Sequence, residues 1–278
     1  MNYYNEWDKN TANWLRELIL QKLIPEGYVD DRSISEVTAS DLEGFTQCHF
    51  FSGIGGWSRA LQISRIPSTT KLWTGSPPCQ PFSKAGKQKG TFDERHLAPT
   101  FIKLIAECKP QLIFGEQVAK AVETGWLDDL HVKLEAEGYT VGASILSGGV
   151  IGAPHERQRL FFGAIRGLAN SDSNKYWSEV FRSNARKDEK EIANWKEIFE
   201  SWESVGTGED VLGFWDNSRK HLCRDGKYRY IEPTIPLLAN GVSSTMGRLR
   251  GYGNAIIPQL GAMFIEDFIL SCNDAIRN

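Results

Sequence analysis

Short apolar runs alternate with amphipathic helices through the centre of the chain, and this alternation limits the possible folds more than any other feature. Apolar residues at helical spacing predict helices over 57–63, 101–108 and 127–134. Strands are predicted at 48–51, 71–74, 111–114, 139–146 and 160–165. Strands that alternate with helices are typical of an α/β domain, so we predict a mostly parallel sheet flanked by helices.

The composition of the whole chain excludes several classes of protein. With 278 residues, 41% of them hydrophobic and 11% aromatic, the chain can bury a large core, which excludes overall disorder. No apolar run approaches the roughly 20 residues of a membrane helix. The first ten residues lack the basic start and apolar stretch of a signal peptide. We therefore expect a cytoplasmic protein that does not bind membranes.

The cysteines argue for reduced thiols. There are five, scattered along the chain, and no two of them form a Cys-x-x-Cys pair. This pattern predicts neither a disulfide framework nor a structural zinc site, so we expect no metal. One of the thiols could be a nucleophile.

Three segments flank or interrupt the α/β pattern. Residues 1–45 are predicted as an N-terminal helical and loop adapter, whose helix is capped by Asn10 or Thr11 and stopped by 25–27. The catalytic α/β domain is assigned to 46–166. From 167 to 244 the pattern weakens to loops and a charged helix candidate at 187–204, which indicates a separate small module or a long insertion. Residues 245–278 contain an amphipathic helix over 258–272.

A glycine-rich turn, Ser52-Gly53-Ile54-Gly55-Gly56, lies between the first predicted strand and its helix. Glycines at this place allow the backbone to approach a ligand and to enter the helix N-terminus tightly. The turn alone is a weak signal, because a purely structural turn would look the same.

A cysteine between prolines follows the second predicted strand. In Pro77-Pro78-Cys79-Gln80-Pro81 the thiol sits on a stiff loop at the edge of the sheet where α/β proteins bind ligands. Nearby lysines would lower the thiol pKa and favour the thiolate. A lone cysteine is usually a buried structural thiol, but the prolines on both sides of Cys79 disfavour that interpretation here.

Charged residues follow or enter two further strands. Glu116 lies just past the third strand, either at the active edge or as a carboxylate that merely starts a helix. Arg157 and Arg159 alternate into the fifth strand and so point to one face, as a surface ladder or as a site for an anionic or base-like ligand.

The charge distribution is uneven although the net charge is only −3. No acidic residue occurs between Glu43 and Asp93, whereas this stretch carries several basic residues. Such a stretch could meet a polyanion, or it could be an ordinary solvated surface.

Taken in order, these motifs resemble those of the cytosine-5 DNA methyltransferases. The resemblance covers roughly 46–166 and 245–270, and its five motifs are specific together although each is modest alone. Residues 51–56 resemble the family's cofactor loop, and Pro78-Cys79-Gln80 resembles its catalytic Pro-Cys loop. Glu116-Gln117-Val118 resembles its Glu-Asn-Val motif. His155, Arg157 and Arg159 match its Gln-x-Arg-x-Arg motif, and 253–258 matches its closing Gly-Asn motif.

The resemblance implies a short, phage- or prophage-like member of the family. Its fold would be Rossmann-like and reduced in size, with a small target-recognition insertion at 167–244. It would act on double-stranded DNA as a monomer, in a bacterial or phage-infected cell, as part of restriction-modification. S-adenosyl-L-methionine would be the methyl donor. The DNA target sequence cannot be read from the insertion.

The resemblance also assigns the site residues. Cys79 would add to carbon 6 of a flipped cytosine and so make carbon 5 nucleophilic, while Glu116 acts at N3 and the exocyclic amine and Arg159 holds O2, with Arg157 beside it. The cofactor contacts would be Phe51, Ser52, Gly53, Ile54, Gly55, Gly56, Trp57, Pro78, Asn254 and Ala255. The DNA contacts would be Gln80, Ser83, Lys84, Lys87 and Lys89.

The chain departs from the family pattern in three respects. Gln117 replaces an asparagine and His155 replaces a glutamine. The family normally places two further strands between the glycine loop and the Pro-Cys loop, the first ending in an acid that holds the ribose and the second offering an acid or amide to the adenine. Here only 61–70 lies between, without a carboxylate. We hypothesise that Asp30 or Asp31 replaces the ribose acid, although both could simply cap a turn.

Other functions remain open at this point. A related cytosine-5 enzyme could use a different one-carbon donor, such as a folate or a modified S-adenosylmethionine, because the ribose acid is missing from its usual place. A catalytically inactive DNA-binding relative is a second alternative. A cysteine hydrolase built on Cys79 and His96 is a distant third, because nothing positions an oxyanion hole.

Overall fold

The computed structural model describes residues 1–78, 97–151, 157–167, 219–222, 228–231 and 255–277. Within these ranges no helix is both long and apolar enough to cross a membrane. The strands are β1 (Asn2–Asn5), β2 (Gly27–Asp30), β3 (Gln47–Phe50), β4 (Leu72–Gly75), β5 (Leu112–Val118), β6 (Tyr139–Leu146), β7 (Arg159–Arg166), β8 (Arg219–Leu222) and β9 (Tyr228–Ile231). The α-helices are α1 (Lys9–Leu20), α2 (Gly56–Ile63), α3 (Ala98–Cys108), α4 (Trp126–Ala136) and α5 (Pro258–Arg277).

A seven-stranded sheet in the order β2-β1-β3-β4-β5-β7-β6 forms the centre of the fold. The first five strands in this order are parallel, and β7 runs antiparallel between β5 and β6. Strands β8 and β9 form a separate antiparallel pair. The predicted Rossmann-like, mostly parallel sheet with flanking helices is therefore confirmed.

The central elements match the sequence-based expectations closely. All five predicted strands are present as β3, β4, β5, β6 and β7, and the three intervening helices are α2, α3 and α4. Strand β5 extends to Val118, so Glu116 lies within this strand and not just past it as predicted. The C-terminal helix is also present and extends five residues further than predicted, to Arg277. The helix candidate at 187–204 lies outside the described residues.

The first 45 residues differ from the predicted helical and loop adapter, because they contribute two strands to the main sheet. Strand β1 lies between β2 and β3, where all four of its residues are buried. Its sequence, Asn-Tyr-Tyr-Asn, carries polar residues at both ends and does not show an apolar strand pattern. The predicted helix cap was also wrong, since the side chain of Asp8 accepts the hydrogen bond from Thr11 N.

Helices cover both faces of the sheet. Aromatic and aliphatic side chains of α3 and α4 pack with Phe50 on one face, whereas α2 and α5 pack with Phe114 on the other. Helix α1 covers β1 and β2 through a smaller cluster that includes Tyr4 and Leu15. This three-layer arrangement leaves the carboxyl ends of the parallel strands at one edge.

Glu266 on α5 should make stability depend on pH. Burial raises the pKa of this carboxyl to about 7, against the opposing effect of the Arg65 charge. A raised pKa in the folded state favours the protonated form, so the stabilising contribution is complete below about pH 4.5 and is lost as the pH rises to about 7. We predict that Glu266→Gln unfolds at increasingly higher urea concentration than the wild type as the pH rises through this window.

The control is Asp267→Asn at the exposed neighbouring position, whose difference from the wild type should stay nearly constant over the same pH range. A constant difference between Glu266→Gln and the wild type from pH 4.5 to 7.5 would contradict the assignment.

Candidate active site

The order of the strands creates a crevice between β1 and β3. The connection from β1 leads through α1 to β2 on one side, and the connection from β3 leads through α2 to β4 on the other. Ligands of open α/β sheets bind in the crevice outside the carboxyl ends of the strands at such a switch point. The register pairs Asn5 with Phe50, so Glu6 and the predicted glycine loop enter this crevice side by side.

The glycine loop turns sharply from β3 into α2. Gly53 and Gly55 have φ angles of 55° and 78°, a region that favours glycine, and Gly55 directly precedes the first turn of α2. Phe51 also has a positive φ, of 52°, which costs free energy in a bulky residue and is commonest at functional sites. The loop thus has the geometry predicted for a backbone that approaches a ligand.

The acid beside this loop is Glu6. Its Oε2 accepts a hydrogen bond from Gly53 N at 2.9 Å, and its Oε1 accepts one from Asp8 N at 3.0 Å. The side chain is buried; burial raises the pKa of its carboxyl, while the two backbone donors act in the opposite direction. Sequence reasoning missed Glu6 because β1 was not predicted; the only signal was an acid directly after Asn2–Asn5.

The two aspartates proposed for this place are occupied by other contacts. Asp30 ends β2, one strand further from the glycine loop, and binds Arg32 at 2.6 Å and the hydroxyl of Tyr3 at 2.8 Å. Burial would raise the pKa of Asp30, but the hydrogen bonds from Arg32 and Tyr3 lower it overall. Asp31 forms an ion pair with Arg16 at 2.9 Å. Among the described contacts, Glu6 and not either aspartate reaches the glycine loop.

The segment that leads into the Pro-Cys loop is held at two points. Ser76 Oγ accepts a hydrogen bond from Trp57 Nε1 at 3.0 Å. The carbonyl of Pro77 accepts one from Gln117 Nε2 at 2.9 Å, and Gln117 Oε1 in turn accepts from Val118 N at 2.9 Å. Gln117, which stands where the family has an asparagine, thus supports this segment directly.

The predicted site residues that lie outside the described ranges are Cys79, Gln80, Ser83, Lys84, Lys87, Lys89, His155 and Asn254.

Glu116 and the two arginines come together near the end of β5. Arg159 Nε lies 2.7 Å from Glu116 Oε1, so the two side chains form a close ion pair. Burial raises the pKa of Glu116, and the charges of Arg159 and Arg157 oppose that rise. Arg157 also donates to the carbonyl of Ala255 at 2.9 Å. The predicted catalytic carboxylate is therefore buried, and both half-buried arginines lie beside it.

The C-terminal segment closes the other side of the glycine loop. A Cβ atom at Gly56 would lie only 2.8 Å from Ile256 Cγ1, so the absence of a side chain at Gly56 allows the two segments to touch. Together with the hydrogen bond from Arg157 to Ala255, this contact connects the closing motif to both the glycine loop and the arginines.

Comparison with known proteins agrees with this arrangement. A family model described as C-5 cytosine-specific DNA methylase matches residues 45–224. The type II methyltransferase M.AplI of Arthrospira platensis is 37% identical over 89 residues, which cover 31% of this chain and 26% of that protein. The tRNA (cytosine(38)-C(5))-methyltransferase of Schizosaccharomyces pombe is 31% identical over 156 residues, covering 52% of this chain and 45% of that protein. The chain thus spans less than half the length of these curated relatives.

Solved structures give a weaker likeness. The crystal structure of a Spodoptera frugiperda DNMT2 mutant aligns with a TM-score of 0.39 and 21% identity, covering 59% of this chain and 42% of that one. The S. pombe Dnmt2 methyltransferase aligns with the same TM-score and 18% identity, covering 60% and 51%.

Gly115, which precedes Glu116, should tolerate no side chain. A Cβ atom there would lie 2.0 Å from the ring of Phe162 and 2.4 Å from the carbonyl oxygen of Gly75. Because the second contact is with backbone, we predict that Gly115→Ala lowers the free energy of unfolding by about 1–3 kcal/mol, as other overpacked cores do. Urea denaturation measures this loss. The control is Gly149→Ala, where a Cβ atom meets only Ser147 Oγ at 3.6 Å; equal losses in both variants would contradict the prediction.

Proposed function

Because the chain belongs to the C-5 cytosine-specific DNA methylase family, we propose that it is a DNA (cytosine-5-)-methyltransferase that transfers a methyl group from S-adenosyl-L-methionine to carbon 5 of cytosine in double-stranded DNA. The observation that carries this proposal is the close ion pair between the buried carboxylate of Glu116 and Arg159. It lies where β5 leaves the sheet, and Gln117, the next residue, holds the segment that leads into Cys79.

Glu116 is suited to recognise the pyrimidine edge of cytosine. Its carboxylate pairs with Arg159 through Oε1 and keeps further acceptor positions on its two oxygens, so it can accept a hydrogen bond from the exocyclic amine. Because burial raises the pKa of this carboxyl, the same group can hold the proton that N3 needs as charge builds on the ring. A base that makes these contacts must leave the duplex stack.

The two arginines complement the carboxylate. Arg159 is close enough to Glu116 to bind the neighbouring O2 of the same base, where negative charge develops after thiolate addition. Arg157 adds positive charge behind it and is held by the carbonyl of Ala255. Cys79 supplies the thiolate that adds to carbon 6, and a base removes the carbon 5 proton after methyl transfer, which restores the thiolate and the aromatic ring.

The crevice between β1 and β3 fits S-adenosyl-L-methionine, which supplies the electrophilic methyl group. Glu6 takes the place of the ribose acid that the sequence lacked between the glycine loop and the Pro-Cys loop. Each oxygen of its carboxylate accepts one backbone hydrogen bond and retains a further acceptor position for a ribose hydroxyl. The resemblance also assigns the glycine loop, Trp57, Pro78, Asn254 and Ala255 as contacts of the cofactor.

The position of Glu6 argues against a one-carbon donor other than S-adenosylmethionine. A folate or a modified S-adenosylmethionine was considered because no ribose acid followed the glycine loop in sequence. Since β1 brings Glu6 to Gly53, an acid is available at the expected place in space. The retained Glu116, Arg157 and Arg159 likewise disfavour an inactive DNA-binding relative.

RNA is a second candidate substrate, because one of the relatives is named a tRNA methyltransferase and shares 31% identity over 156 residues. The acid-free stretch 44–92, with its lysines after Cys79, suits the phosphates of either polymer. We also propose that residues 167–244 recognise the target sequence. The protein would act as a monomer in the cytoplasm.

The test of the reaction uses Cys79→Ser. We predict that the wild type, incubated with labelled S-adenosylmethionine, produces 5-methylcytosine in DNA and that Cys79→Ser lowers the yield by more than about a thousandfold, because the nucleophile is lost. Mass spectrometry of nucleosides from matched DNA and tRNA substrates measures both products. DNA with 5-fluorocytosine should trap the wild type covalently. Methylation by Cys79→Ser at the wild-type rate would exclude the mechanism, and product in tRNA alone would assign the RNA substrate.

The test of the cofactor site compares Glu6 with Asp31. We predict that Glu6→Gln weakens S-adenosylmethionine binding by about tenfold, or ~1.4 kcal/mol, for each charge-assisted contact to the ribose that is lost. Calorimetry measures the affinity. Asp31→Asn is the matched control, since its carboxylate pairs with Arg16 on the surface, and it should change the affinity by less than about twofold. The opposite ranking would restore the aspartates as the ribose acid.

A further inference from the structure

One side chain connects the glycine loop to the segment that leads into Cys79. Trp57 is the second residue of α2, directly after the loop, and its indole is buried. Its Nε1 donates to the hydroxyl of Ser76 at 3.0 Å, and Ser76 is the first residue after β4. A side-chain hydrogen bond therefore joins the start of α2, directly after the glycine loop, to the first residue after β4.

Packing alone does not account for this contact. The indole ring stacks on Phe114 with ring centroids 6.3 Å apart and meets the edge of Phe161 at 6.0 Å. These contacts anchor the ring on the sheet whether or not its N–H has a partner. The hydrogen bond to Ser76 thus adds little to the burial of the indole, but it connects the segment after β4 to helix α2.

A second hydrogen bond holds the same segment from another element. Gln117 Nε2 holds the carbonyl of Pro77 from the β5 side, while Trp57 holds Ser76 from the α2 side. The rings of Pro77 and Pro78 fix the φ angles of both residues. Few free torsions therefore remain between the anchored Ser76 and the start of Cys79.

We propose that Trp57 is a positioning residue that sets the loop of the nucleophile relative to the cofactor loop. This inference rests on the proposed function. Methyl transfer requires the thiolate, the base and the methyl donor to meet in one geometry, and a displacement of about 1 Å can cost about a hundredfold in rate. The indole hydrogen bond makes the position of Ser76 depend on α2, the helix that begins at the cofactor loop.

The experiment removes either end of the hydrogen bond. Trp57→Phe removes the N–H and keeps an aromatic ring, Ser76→Ala removes the acceptor, and the double variant removes both. The control is Trp126→Phe, a buried tryptophan on the opposite face that packs against Phe162. The single-turnover rate of covalent capture on DNA with 5-fluorocytosine is measured together with the calorimetric affinity for S-adenosylmethionine.

We expect each single variant to capture DNA about tenfold more slowly, and we expect Ser76→Ala, which leaves the proposed cofactor contacts intact, to change the affinity for S-adenosylmethionine by less than about twofold. The double variant should be no slower than the slower single variant, because both changes remove the same interaction. Trp126→Phe should capture at the wild-type rate whatever its effect on stability. Wild-type capture by Trp57→Phe, multiplicative effects in the double variant, or an equal loss in Trp126→Phe would overturn the proposal.

Hydrogen exchange distinguishes failure of this inference from failure of the proposed function. If the wild type captures neither DNA nor RNA, the proposed function is wrong, and the positioning role is then decided by the amides of Gly75 and Ser76, since Pro77 and Pro78 have no amide hydrogen. We expect these amides to exchange faster in Trp57→Phe than in Trp126→Phe, because only the first variant releases Ser76. Equal exchange in the two variants overturns the role of Trp57.

Discussion

The parallel pairing of β1 with β3 is the constraint on which the rest of the site depends. It places the first residues of the chain inside the sheet, between β2 and β3, and brings the end of β1 beside the glycine loop. Without this pairing, Glu6 would not be held next to Gly53, and the crevice between the two strands would not exist. A contact between residues 47 positions apart therefore completes the proposed cofactor site.

Buried polar side chains hold β1 in this register. Asn2 donates to Gln47 at 3.2 Å, and the hydroxyl of Tyr4 lies 3.0 Å from that of Ser58 on α2. His49 is fully enclosed, and burial lowers its pKa to about 3, so it is neutral at physiological pH and shares a hydrogen bond with Thr74. A shift of β1 by one residue would leave several of these groups buried without partners, which costs more than a lost apolar contact.

On the other side of the centre of the sheet, burial and charge act together on the proposed catalytic group. Glu116 is removed from solvent on β5, which raises its pKa, and the charges of Arg159 and Arg157 oppose that rise. The antiparallel strand β7 makes this possible, because it returns the arginines to the same edge that the parallel strands reach. Segment 76–78 then lies between this charged group and the cofactor crevice, held by Gln117 and Trp57.

The sequence by itself determined the central α/β pattern, the glycine loop and the charged group around Glu116. Each depends on residues close together in the chain: apolar periodicity predicted β3 to β7, and short motifs marked Glu116, Arg157 and Arg159. Only the tertiary structure decided that residues 1–45 belong to the sheet and that Glu6, not Asp30, reaches the glycine loop. Strand β1 is short and polar at both ends, so local propensity does not reveal it. Its stability comes from long-range hydrogen bonds to β2, β3 and α2, which exist only after the chain has folded.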